Sequence, residues 1–143
     1  MKRDTEKLPA LVDTNLLVYA YAEISPKGQK AAELLNDCFQ GRTILAVSLQ
    51  NIGEFCNVAL RKYKLNPAMI HKVSTHLLAC TTLVKVAYTG TTLLSAVALS
   101  ASSNLEFWDA VLAATMKENA IDTIYTEDNG FGKVPGIKVV NPF

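Results

Sequence analysis

Short apolar runs alternate along this chain with longer stretches of helical period, and Gly, Pro, Ser and Asn separate them. This pattern limits the fold more than any other feature. Ala10-Leu11-Val12-Asp13, Thr43 to Val47, Leu83 to Tyr88, Ile121 to Thr126 and Ile137 to Val140 read as strands. Ser25-Pro26 opens a helix that runs to about Phe39 and stops at Gly41. Ser48 caps another that ends near Lys64, with Leu49, Ile52, Cys56, Leu60 and Tyr63 as its apolar stripe. Asn66-Pro67 starts a third, to about Ala79, and Thr89 or Gly90 a fourth, to about Ala101. Ser103-x-x-Glu106 has the form of a capping box for a helix ending near Asn119. Strands alternating with helices predict an α/β fold: a central parallel sheet of about five short strands with helices on both faces, two of the crossovers holding paired helices. With no linker, repeat or low-complexity tract, residues 1–143 read as a single domain.

Composition narrows the function classes. Half of the 143 residues are hydrophobic, which excludes intrinsic disorder. Charged residues make up 19%, below the roughly 25% usual for soluble domains, and this hints at an apolar surface covered by a partner or a second copy. A net charge of +1 leaves nucleic-acid contact to a local patch. Cys38, Cys56 and Cys80 show no metal-ligand spacing and read as reduced thiols. The N-terminus lacks the form of a signal peptide, and the longest apolar-leaning stretch, Leu93 to Ala101, is too short to cross a bilayer. A soluble, cytoplasmic protein without membrane contact is the expectation.

In open parallel sheets, ligands bind beyond the carboxyl ends of the strands. Two predicted strands run into acids there: Asp13, in Asp13-Thr14-Asn15, and the pair Glu127-Asp128 after Thr126. Taken singly, either is accounted for as a turn former or helix cap. Asp109 lies in Phe107-Trp108-Asp109-Ala110-Val111-Leu112, a segment apolar on nearly every face, where a charge needs a partner, a metal or a bond to a neighbouring loop. Glu54 falls opposite the apolar stripe of its helix, beside Gln50, Asn51, Asn57 and Arg61, on either a solvated face or a cleft wall. Four acids gathered at one sheet edge would repel unless protonated or neutralised by cations. Oxygen ligands without Cys or His select Mg²⁺ or Mn²⁺, which can activate a water against a phosphodiester.

The order and spacing of these segments resemble PIN-domain proteins, most closely VapC-type ribonuclease toxins of toxin–antitoxin pairs. The resemblance rests on Leu11-Val12-Asp13-Thr14-Asn15-Leu16-Leu17, Leu49-Gln50-Asn51-Ile52-Gly53-Glu54-Phe55, Phe107-Trp108-Asp109-Ala110 and Tyr125-Thr126-Glu127-Asp128. It extends over nearly the whole chain. The family pattern assigns Asp13, Glu54, Asp109 and Asp128 to an acidic Mg²⁺ or Mn²⁺ site and gives Thr14, Asn15 and Thr126 supporting roles; Glu127 competes with Asp128. After these acids the chain reads Asn129-Gly130-Phe131-Gly132, where relatives often have a leucine and a polar residue before glycine.

What the resemblance implies is a metal-dependent endoribonuclease, the toxin of a type II pair, with an RNA substrate, a small antitoxin and a homodimeric state as expectations. Arg61, Lys62 and Lys64, with Lys2, Arg3 and Lys7, are candidate phosphate contacts or solvated charges. The alternative is a catalytically silent PIN fold serving as a binding or assembly module. A flavodoxin-like nucleotide or flavin binder fits the strand–helix pattern, but its phosphate loop wants glycine, and Asp13-Thr14-Asn15-Leu16-Leu17 has none.

Overall fold

The computed structural model describes residues 8–143. Five strands, β1 (Ala10–Val12), β2 (Leu45–Ser48), β3 (Leu83–Val86), β4 (Thr123–Tyr125) and β5 (Lys138–Val140), form one sheet in the order β3-β2-β1-β4-β5. Every pairing is parallel, with Leu11 opposite Ala46 on one side and Ile124 on the other. The expected parallel α/β architecture is what the chain adopts.

Three crossovers, rather than two, carry paired helices. They hold α1 (Thr14–Ala22) with α2 (Pro26–Phe39), α3 (Leu49–Arg61) with α4 (Pro67–Ala79), and α5 (Gly90–Ser103) with α6 (Phe107–Glu118). A 3-10 turn over Asn129–Lys133 links β4 to β5. Because strand side chains alternate, the sheet feeds two cores. Leu11, Ala46, Val86 and Ile124 pack with Val111, Met116 and Phe131 on the α5–α6 side. Val12, Leu45, Val47 and Leu83 pack with Leu16, Leu35, Phe55 and Leu77 under α1 to α4.

The predicted caps hold at Ser25, Ser48, Asn66 and Thr89, each of whose side chains accepts from a first-turn N–H. Two expectations are corrected. The apolar stripe of α3 is Ile52, Phe55 and Ala59; Leu49 and Leu60 are exposed. The helix rotates its stripe because Asn51, bonded to Ser48, turns inward beside Ile52. Ser103 does not cap α6. It closes α5, Asn104 adopts the left-handed C-cap at φ 50°, and Glu106 caps α6 through the Asp109 N–H. The three cysteines are unpaired, Cys38 buried and Cys56 and Cys80 half-buried. Among the described residues no helix is long and apolar enough to cross a membrane.

Candidate active site

All four predicted acids lie beyond the carboxyl edge of the sheet. Asp13 follows β1 and caps α1, its Oδ1 accepting from the Thr14 N–H at 2.7 Å. Glu54 stands on α3, which follows β2 directly. Asp109 is in the first turn of α6, where the helix dipole favours a negative charge. The capping arrangement expected from Ser103 would have set it deeper. Asp128 follows β4 and caps the 3-10 turn, accepting from the Gly130 N–H at 2.8 Å. The divergent Asn129-Gly130-Phe131-Gly132 segment therefore forms an ordered turn, anchored by Phe131, which is 1% exposed.

Two threonine hydroxyls organise these acids. The fully buried Thr126 hydroxyl donates to Asp13 Oδ2 at 2.8 Å. It accepts from the Asn15 amide and the Asp128 N–H, both at 3.0 Å. That uses its one donor and both lone pairs, and binds three segments together. The Thr14 hydroxyl donates to Glu54 Oε2 at 2.8 Å and accepts from the Asn51 amide at 3.1 Å. The predicted supporting residues Thr14, Asn15 and Thr126 are thus all placed within the cluster.

Asn51 and Gln50, beside Glu54 on α3, also bond into the site. Asn51 is buried, closes a capping box with Ser48, and turns its amide toward Asp13 Oδ1 at 3.4 Å. The Ser48-x-x-Asn51 spacing was the available signal. Gln50 Nε2 donates to Glu54 Oε1 at 2.9 Å and to the Trp108 carbonyl at 3.0 Å, tying α3 to the start of α6.

The electrostatics are those of crowded carboxylates. Burial pushes the Asp13 carboxyl above its ordinary value; the bonds from Thr126 and Thr14 oppose this, while the charges of Glu54 and Asp128 add to it. Asp109 rises from 3.8 to about 6, through burial first and then the charges of Asp128, Asp13, Glu106 and Glu54. The ion pairs among the described residues are Lys27–Glu127 and Arg42–Asp37, so none of the four acids has a cationic partner there. Glu127 points elsewhere. It pairs with Lys27 and accepts from the Tyr19 hydroxyl at 2.5 Å. Those bonds hold its carboxyl below the usual value and push the Tyr19 phenol up to about 12.

The donor set suits a hard divalent cation. It consists of carboxylates with uncompensated charge; two residues bonded into the cluster through their amide nitrogens, Asn15 and Gln50, each keep a buried side-chain oxygen with no partner among the described residues. No three His, Cys, Asp or Glu side chains among those residues close into a ready metal-ligand group, so a cation held here would keep waters between itself and some of the acids.

Of the candidate phosphate contacts, Arg61 ends α3, Lys62 is its C-cap and Lys64 follows at φ 49°, all exposed. Of these three, Lys62 lines the cavity next to Thr14 and Asn15. Lys2, Arg3 and Lys7 lie outside the described residues.

Comparison with known proteins agrees with this architecture. No curated protein matches the chain in sequence. Solved structures match it in shape. A toxin–antitoxin complex from Klebsiella pneumoniae shares 24% identity at a TM-score of 0.66, covering 94% of this chain and 98% of that one. Mycobacterium tuberculosis VapC20, described as a sarcin–ricin loop cleaving toxin, shares 16% identity at a TM-score of 0.70, covering 86% and 92%. FitAcB from Neisseria gonorrhoeae shares 18% at 0.61, covering 93% and 97%. At these identities the likeness is one of fold. The PIN domain profile matches residues 10–137, a span that holds β1 to β4 and all four acids and ends just before β5. By that match the chain belongs to the PIN-domain family.

Proposed function

We propose that residues 1–143 act as one unit, a metal-dependent endoribonuclease that is the toxin of a toxin–antitoxin pair and works in the cytoplasm. One observation carries the reading: Asp13, Glu54, Asp109 and Asp128 come from four separate elements to one sheet edge, with no cationic partner among the described residues. The toxin–antitoxin complex and the sarcin–ricin loop cleaving toxin of the same fold support it.

Asp13, Asp109 and Asp128 would hold Mg²⁺ or Mn²⁺, with Glu54 as a further ligand or as the base that orients the attacking water. Such an ion supplies Lewis acidity toward a phosphodiester oxygen and lowers the pKa of a bound water. The protein's part is positioning. Thr126 fixes one Asp13 oxygen and the Thr14 N–H and Asn51 amide fix the other, which leaves little freedom of rotation. Glu54 is held by Gln50 on one oxygen and Thr14 on the other, so it faces the site in a set orientation. Both holds use neutral donors and leave the charge in place.

An antitoxin would act by occupying this cleft. A basic side chain set among the acids would replace the cation by charge-assisted hydrogen bonds. A second copy of the chain would cover part of α5, where Leu94 and Val97 are 75% and 60% exposed.

The test is cleavage of structured RNAs, transfer RNAs included, by antitoxin-free protein in EDTA, Mg²⁺ or Mn²⁺, beside Asp13→Ala prepared identically. Cleavage that needs metal and disappears in Asp13→Ala supports the reading; equal cleavage by both proteins marks a contaminant. The alternative, a silent PIN-fold binding module, draws on the absence of a closed three-acid group among the described residues. It predicts neither cleavage nor a rise in melting temperature with Mn²⁺.

A further inference from the structure

Beside the acids, between α1 and α3, lies a cavity of about 280 Å³ that the mechanism above does not use. Thr14 and Asn15 form one end of it, and Tyr19, Glu23 and Tyr63 line it. We infer that this cavity is a nucleobase subsite of the ribonuclease site, reading an amino-bearing base, guanine above all, through Glu23. The inference rests on the ribonuclease reading.

Size and walls come first. Small-ligand pockets begin near 300 Å³, and this one, at about 280 Å³, is of a size for a single base with its ribose. Single-stranded RNA is read with its bases splayed out and stacked on aromatic rings, and two phenol rings line this space. Because Thr14 and Asn15 also belong to the acid cluster, a base seated here keeps its own phosphate beside Asp13 and Glu54. Lys62 sits over the Tyr63 ring, its Nζ 5.4 Å from the centroid, where it can meet a phosphate.

The polar character of the walls selects the base. The Tyr63 hydroxyl donates to Glu23 and the Tyr19 hydroxyl to Glu127, so both phenols have spent their protons and offer lone pairs. Glu23 has no cation within ion-pair distance among the described residues, and its Oε2 makes no hydrogen bond there. With Lys62 left to a phosphate, the polar atoms that Glu23, Tyr19 and Tyr63 offer are acceptors, and they need a ligand that donates. Guanine presents N1–H and the N2 amine side by side to a carboxylate, whereas uracil flanks its single N–H with two carbonyls that Glu23 repels. Good paired contacts of this kind are worth about tenfold or more in discrimination.

The experiment is an amide NMR titration of the full chain in Mg²⁺ with guanosine 5′-monophosphate and uridine 5′-monophosphate. Wild type, Glu23→Gln and Tyr63→Phe are compared, with melting temperatures as the control on folding. We expect the guanosine nucleotide to shift Tyr19, Glu23 and Tyr63 and to bind about tenfold more tightly than the uridine nucleotide. Glu23→Gln should erase most of that ratio. Tyr63→Phe, which loses the bond that aims Glu23 and keeps the ring, should lower it less. Equal binding of both nucleotides, shifts confined to the acid cluster, or a ratio untouched in Glu23→Gln would overturn the subsite. The RNA cleavage assay runs in parallel. Cleavage without base-selective binding sinks the subsite alone, and base-selective binding without cleavage sinks the ribonuclease reading alone.

Discussion

Replacing Asp109 by asparagine should stabilise the metal-free protein, although it removes a proposed ligand. In the folded chain the Asp109 carboxyl titrates at about 6, against 3.8 when unperturbed. At about 1.36 kcal/mol per unit, that gap is a cost near 3 kcal/mol of keeping the group ionised. Asp109 is only half-buried and stands in the first turn of α6, so solvent screening and the helix dipole reduce the figure to about 1.5 kcal/mol. For a chain of this length the unfolding entropy turns that into a rise of ~5 °C in melting temperature. Because the folded pKa is raised, the folded state holds the proton more tightly than the unfolded one. The cost is therefore absent below about pH 4, grows as pH rises to about 6, and is complete at neutral pH. Thermal unfolding in EDTA should show Asp109→Asn above wild type at pH 7.5 and level with it at pH 4. Mn²⁺ should reverse the order, since wild type gains about 2.7 kcal/mol at a metal concentration one hundred times its Kd and the variant gains less. A variant that melts at or below wild type in EDTA at neutral pH would refute the argument, because it would mean that burial and the neighbouring carboxylates do not raise the energy of the ionised site.

Other perturbations test the frame around the site. Gly28→Ala should destabilise by about 1–3 kcal/mol, because an added Cβ would lie 2.4 Å from the Glu23 carbonyl oxygen and 2.8 Å from that of Tyr19, backbone atoms that cannot turn aside; a denaturant midpoint equal to wild type refutes it. Phe55→Ala, at a fully buried position under α1, should cost about 3–5 kcal/mol in the same measurement. Lys27→Met should change stability by less than about 1 kcal/mol, since its pair with Glu127 is half in solvent; a larger loss would give that pair a structural weight not expected here. The proposed second copy predicts that Leu94→Glu, on the exposed face of α5, lowers the mass seen by light scattering from dimer to monomer; an unchanged mass refutes α5 as its contact face.

The sheet was legible because its strands are short, apolar on both sides and evenly spaced by helical segments. Only a parallel sheet covered on both faces buries such runs. α1 left no mark of that kind. Its segment, Thr14 to Ala22, is apolar nearly all round and carries no helical period, because both α2 and α3 pack against it. The start of α6 misled for a different reason. Ser103 and Glu106 can both cap a helix, and only the left-handed turn at Asn104, which lets α5 run on to Ser103, gives the role to Glu106. That turn sets Asp109 in the first turn instead of the interior. Asp13 and Asp128 were legible as acids at strand ends. Glu54 was not, since its exposed place on α3 matches a solvated face, and the cleft it lines exists only once α1 has packed beside α3.

The supporting residues indicate why such an expensive cluster persists. The cheapest way to hold four carboxylates together is to pair them with Lys or Arg, and the chain does this for Glu127, one residue from Asp128. Within the cluster it uses a hydroxyl from Thr14, a hydroxyl from Thr126 and amides from Gln50 and Asn51. Neutral donors orient oxygens without cancelling charge, so the repulsion stays in the fold and adds to the burial cost of ionising Asp109. A site built for stability alone would have placed a cation here, because an unpaired, partly buried carboxylate costs more than a paired one. Leaving it out makes the protein responsive to whatever positive group arrives. A divalent ion and an antitoxin side chain would then compete for one set of unpaired carboxylates, and thermal stabilisation by Mn²⁺ should be smaller than wild type in Asp13→Asn and Asp109→Asn but unchanged in Lys27→Met. Equal stabilisation of all three would place the bound cation away from these acids and remove the basis for that competition.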